Sequence, residues 1–157
     1  SRSTETRDSR CGAEIRAGPS LQPALAEANR IVNCIANLGD VPAMAPSCRD
    51  LWCRAIAFLF CAGCHAEDIC TTLSYTCIYA EEMQQAYKEP FEGQEVGNLM
   101  VMLTFIAHSY VQDDALPLSK WHKKLFRKSC SMRTLNLAIM RLLRSRNYIL
   151  GVDQWEL

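Results

Sequence analysis

Cys61-Ala62-Gly63-Cys64-His65 is the densest run of reactive side chains in the sequence. Its C-x-x-C-H spacing is that of c-type haem attachment, where two thiols bond the vinyl groups and the histidine ligates iron. Such a site also calls for a loop-borne methionine, whereas Met83, Met100 and Met102 fall in or at the ends of helical patterns. Cys61, Cys64 and His65 are also thiolate and imidazole ligands of the kind zinc takes, but no second C-x-x-C or H-x-x-x-H completes a tetrahedral set. The structural alternative packs Cys61 into a helix end, uses Gly63 to turn the chain and sets His65 at the start of the next helix. No cofactor is expected on that reading.

Other candidates are sparser. His108 and His122 fall one per helical pattern, with no nucleophile and acid at a recognisable spacing, so a hydrolytic triad has no support and surface or helix-end positions are expected. Asp113 and Asp114 are adjacent acids ahead of Pro117, as in a solvated turn. The uneven charge feature is Lys120, Lys123, Lys124, Arg127 and Lys128, followed by Arg133, Arg141, Arg144 and Arg146. It reads either as the solvated outer face of two helices or as a docking surface for an acidic or phosphorylated segment.

The elements that must position these residues are helical. Leu25, Ala28, Ile31, Val32, Ile35 and Leu38 recur at helical spacing over Leu21–Leu38, and Gly39 supplies a stop. A second helix opens near Arg49 after a possible Ser47 cap and is apolar nearly all round through Leu51, Trp52, Ala55, Ile56, Leu59 and Phe60. Glu67 and Asp68 start a long third, with Ile69, Leu73, Cys77, Ile78 and Ala80 as its apolar positions, closed by Pro90. Gln94 to Tyr110 is too long and too apolar for a strand and should be the most buried helix. A shorter helix follows Pro117 over Trp121, Leu125 and Phe126, and Ser131 caps a last one that becomes basic towards its C-terminus. Residues 1–20 are polar and Arg-rich without apolar period, so they read as a flexible tail ahead of one domain over 21–157.

Composition bounds the class. Length 157 with 49% apolar residues suffices for a core without staples, and 17 basic against 17 acidic side chains give no overall grip on nucleic acid. Nine cysteines is an odd count, and most sit at apolar helical positions, so reduced, buried thiols of an intracellular protein of cytoplasm or nucleus are expected rather than a secreted disulfide scaffold. No run of about 18 apolar residues suggests membrane insertion.

Particular residues then resemble a known family. Trp52-Cys53-Arg54-Ala55-Ile56-Ala57-Phe58-Leu59 resembles the M-R-A-I-L-x-x-W-L opening of the cyclin box, with Arg54, Ala55 and Ile56 matching. Ala107-His108-Ser109-Tyr110 with Asp113 resembles the cyclin A-x-K-Y-x-D/E signature, serine replacing lysine. Leu135-Asn136-Leu137-Ala138-Ile139-Met140-Arg141-Leu142-Leu143 resembles M-E-x-x-I-L-x-x-L, asparagine replacing glutamate. The paired departures, the Leu51-Trp52-Cys53-Arg54 opening and Pro117-Leu118 are similar to the non-cyclin activators of neuronal cyclin-dependent kinase five. P-type single-box cyclins are the other near relation. The resemblance covers roughly 49–150 and implies an all-α, five-helix cyclin box with an additional N-terminal helix. It further implies a non-catalytic regulatory subunit that binds and activates a cyclin-dependent protein kinase through Arg54, Ser109, Asp113, Met132 and Asn136. A c-type electron carrier and an unrelated helical interaction scaffold are the alternatives.

Overall fold

The computed structural model describes residues 18–39, 44–86, 94–147 and 149–151. Among them the chain is all-helical and has no strand. Helix α1 (Leu21–Leu38) ends at Gly39, whose N–H bonds the Ala36 carbonyl and whose left-handed φ of 73° takes the chain off the helix. Ala24, Ala28 and Val32, spaced by four, form its single fully buried stripe against α2 (Pro46–Cys61). Helix α2 starts ahead of the expected Ser47 cap. Ala45 is its N-cap, and its methyl group can make no capping bond; Pro46 fixes the φ of the first helical residue and has no N–H to satisfy.

Helix α3 (Ala66–Ala86) and α4 (Gln94–Val111) pack on each other, and α4 also packs against α2. Helix α4 buries residues round much of its circumference, from Val96 to His108. Gly97 lets it approach α2 closely: a Cβ there would stand 2.8 Å from the Cys48 Cα. The indole of Trp52 donates to the Thr104 hydroxyl at 3.0 Å, and that hydroxyl donates to the Met100 carbonyl, so polar atoms at the α2–α4 contact are satisfied. The buried stripe of α3 runs through Thr76, Tyr79 and Met83, leaving Cys77 and Ile78 half-buried beside a groove. Thr76 tolerates burial because its hydroxyl bonds the Thr72 carbonyl one turn back.

The short α5 (Leu118–Trp121), with Pro117 as N-cap, runs directly into a π-helical turn over His122–Phe126. Ser131 caps α6 (Met132–Ser145) as expected, accepting the Thr134 N–H. Helix α6 packs on α4 and on the π-turn. Of the expected tail, residues 1–17 and the domain's residues 152–157 lie outside the described set; Gly18 sits against the Phe60 and Cys61 carbonyls at the end of α2.

Candidate functional site

The five residues singled out by resemblance fall on exposed surface of three regions. Ser109 is exposed near the C-terminal end of α4, its hydroxyl donating to the Phe105 carbonyl at 2.9 Å. Asp113 is exposed in the turn beyond, as a solvated-turn acid should be. Met132 opens α6 and Asn136 stands exposed one turn later. Arg54 is exposed on α2 and lines a cleft of about 780 Å³ with Leu125 and Ser129. That cleft therefore joins Arg54 to the basic segment and includes neither Ser109 nor Asn136.

Apolar side chains are exposed beside both polar positions. Tyr110, next to Ser109, is 50% exposed, and Leu137, next to Asn136, is 51% exposed. Helices α4 and α6 are packed neighbours, so these residues belong to adjoining elements.

The C-x-x-C-H run forms the turn between α2 and α3. Gly63 adopts φ 89°, the Cys64 N–H bonds the Leu59 carbonyl, and the His65 carbonyl accepts the Ile69 N–H, so His65 precedes α3 as the structural alternative requires. Cys61 and Cys64 are half-buried against the core while His65 is exposed. Burial pushes the Cys64 thiol up, and the Asp68 carboxylate adds to it, which disfavours the thiolate a metal would take. Among the described residues no three His, Cys, Asp or Glu side chains assemble a metal site.

His108 departs from the surface position expected of it. It is 1% exposed, its Nε2 accepts the Leu116 N–H at 2.9 Å, and its ring lies 5.7 Å from that of Trp121. His122 is half-buried, its Nε2–H donating to the Cys130 carbonyl at 2.7 Å. Together the two imidazoles fasten the chain that returns from α4 through the π-turn to α6. Burial lowers the His108 pKa from 6.5 to about 4, so the folded protein holds it neutral. The unfolded chain binds a proton there first; its contribution is complete above about pH 6.5 and is lost as pH falls towards 4. Stability should drop by about 2 to 3 kcal/mol between neutral pH and pH 4.5 from this residue alone. Urea melts across that range check it, since His108→Gln should flatten the slope; an unchanged slope would assign the acid sensitivity elsewhere.

The thiols divide differently from the expectation of general burial. Cys48 and Cys53 are buried, but Cys34 and Cys70 are exposed, on a groove of about 520 Å³ that residues of α1 and α3 line. Cys11 lies outside the described residues. Arg146 also leaves the solvated set: it pairs with Glu82, and its guanidinium lies 4.1 Å from the Tyr79 ring centre. Tyr79, not singled out from sequence, is buried, donates to the Leu150 carbonyl at 2.5 Å, and has its pKa pushed up to about 12 by burial against the opposing Arg146 charge. Lys120, Lys123, Lys124, Arg127, Lys128, Arg133, Arg141 and Arg144 are exposed. No described helix is long and apolar enough to cross a membrane.

Comparison with family models, with curated proteins and with solved structures gave no match to this chain.

Proposed function

We propose that the chain is a cyclin-box-type regulatory subunit that binds and activates a cyclin-dependent protein kinase inside the cell, and supplies no catalytic group itself. The observation that carries the reading is the pair of exposed apolar residues, Tyr110 and Leu137, flanking Ser109 and Asn136 on packed neighbouring helices. Solvated apolar side chains beside uncharged hydrogen-bonding groups suit a protein interface whose centre is depleted of charge. The all-helical order of elements and the three motif likenesses support the same reading. Kinase activation requires the catalytic Lys–Glu pair to be assembled through a mobile regulatory helix. A subunit that binds only the assembled state shifts the equilibrium towards it by its differential affinity.

The test is purification from source cells with the chain as bait, identification of any kinase by mass spectrometry, and peptide phosphorylation with and without added chain. Phosphorylation by the retained kinase should rise on addition. Turnover of ATP by the chain alone, or failure to retain any kinase, would defeat the proposal.

A further inference from the structure

The charge on this neutral chain is segregated. From Ala115 to Gly151 there are nine Lys and Arg and no Asp or Glu, and five of the nine crowd into Lys120–Lys128. Those five are exposed, and the ion pairs among the described residues, Arg30–Glu27 and Arg146–Glu82, involve none of them. Five like charges held on the short segment from α5 through the π-turn to Lys128, with no ion pair to any of them among the described residues, repel one another, and an anionic partner relieves that repulsion.

The packing of the same segment selects the partner. Trp121 and Phe126 are 0% and 4% exposed, so no aromatic face stands among the lysines to stack on bases, and no large apolar side chain of Lys120–Lys128 projects to enter a lipid surface. Four of the five cations are lysines on flexible stems, and Arg127 alone of the five carries a guanidinium fork of the kind that grips phosphate bidentately. A run of carboxylates is what such a diffuse field suits.

The cleft beside the segment adds directional contacts. Leu125 and Ser129 form one wall, and Arg54, Gln22, Asn29 and Gln94 face it from α1, α2 and α4. The Asn29 amide is already engaged, donating to the Leu25 carbonyl and accepting from the Cys53 thiol, so Gln22 and Gln94 supply the side-chain amides that can donate to and accept from an extended peptide backbone. Asp50 is the carboxylate of the wall and repels acids, and none of the five cations lines the cleft, so the acidic residues of an occupant gather beyond its Leu125 and Ser129 wall, on the basic segment itself.

We infer that Lys120, Lys123, Lys124, Arg127 and Lys128, with Arg54 and the adjoining cleft, form a docking surface for an Asp/Glu-rich segment of a protein partner. This surface shares Arg54 with the set implied by the cyclin-box resemblance but is separate from Ser109 and Asn136, and its peptide binding does not depend on kinase binding.

The probe is a short fluorescein-labelled Asp/Glu/Gly peptide, read by anisotropy with the full chain. Its Asn/Gln/Gly counterpart, a phosphoserine version, duplex DNA and phosphatidylserine vesicles are compared. The acidic peptide should bind and its neutral counterpart should not, with affinity falling about tenfold between about 0.05 and 0.3 M salt. The triple variant Lys123→Glu, Lys124→Glu, Arg127→Glu should lose at least about thirtyfold, and Arg54→Gln about fivefold, as exposed charge pairs sum. Ser109→Glu should bind the peptide unchanged, which separates this result from the fate of the kinase reading. Undetectable peptide binding, wild-type binding by the triple variant, or clearly tighter binding of the phosphopeptide, DNA or vesicles would overturn the assignment.

Discussion

Asn136→Arg is expected to abolish retention of the kinase, and Ser109→Glu to do the same, while circular dichroism and melting temperature stay close to wild type. Both residues are exposed, and the hydrogen bond of Ser109 stays within its own helix, to the Phe105 carbonyl. Neither change therefore disturbs the core. At an interface built around Tyr110 and Leu137, a new charge must be desolvated without a partner. Unpaired buried charges cost about 3–5 kcal/mol, which is roughly two to nearly four orders of magnitude in affinity. Because the wild-type contact carries no charge at either position, its affinity should also vary little with salt, opposite to the behaviour expected of the lysine surface. If both variants hold the kinase as tightly as wild type, the α4–α6 face is not the interface, and Lys120–Lys128 becomes the next surface to mutate.

The second large effect belongs to the core. Trp52 and Trp121 are both fully buried, yet their indole nitrogens differ: Trp52 donates to Thr104, whereas Trp121 Nε1 has no partner among the described residues. Trp52→Ala should cost about 3–5 kcal/mol, a large part of what a domain of this size possesses. Trp52→Phe keeps most of the volume, loses a made hydrogen bond and should cost about 2 kcal/mol. Trp121→Phe loses no hydrogen bond and removes an unsatisfied donor. Its surroundings, the rings of Phe58 at 5.3 Å and Phe105 at 5.5 Å, can still pack edge-to-face on a phenyl group. It should therefore cost less than Trp52→Phe in urea denaturation. The reverse order would show that volume, not hydrogen bonding, distinguishes the two sites.

The helices were legible because each signal was local. Apolar recurrence marked Leu21–Leu38 and the buried run from Gln94, Gly39 ended α1, and Ser131 stood three residues from the N–H it caps. At α2 two local signals competed, and proline at the first helical position prevailed over serine as a cap. What escaped was long-range. The burial of His108 depends on Leu116, eight residues on across a turn, although its spacing of four from Thr104 and seven from Val101 placed it on an apolar face. The Tyr79 and Glu82 contacts reach 71 and 64 residues along the chain, beyond any periodicity. Exposure of Cys34 and Cys70 depends on the groove that two helices line together, which their separate patterns do not encode. For the candidate interface, motif order pointed to Ser109 and Asn136, but the exposed Tyr110 and Leu137 beside them required coordinates.

The sparse anchoring of α6 bears on its amide exchange with solvent. Only Leu135 and Ile139 of its described side chains are fully buried, and it is held at its end by Arg146 on Glu82 and Tyr79, with Tyr79 in turn gripping Leu150. A helix with so little buried apolar surface opens as a unit at lower free energy than the α2–α4 centre. Its backbone amides should exchange deuterium well before those of α4, and Arg146→Met should speed them further while leaving α4 protected. Equal exchange in the two helices would mean that they open together. Where Asn136 contacts a kinase, occupancy stabilises the closed helix by linkage, about 2.7 kcal/mol at a hundredfold excess over Kd. The protection of this sparsely anchored helix then reports the partner's arrival.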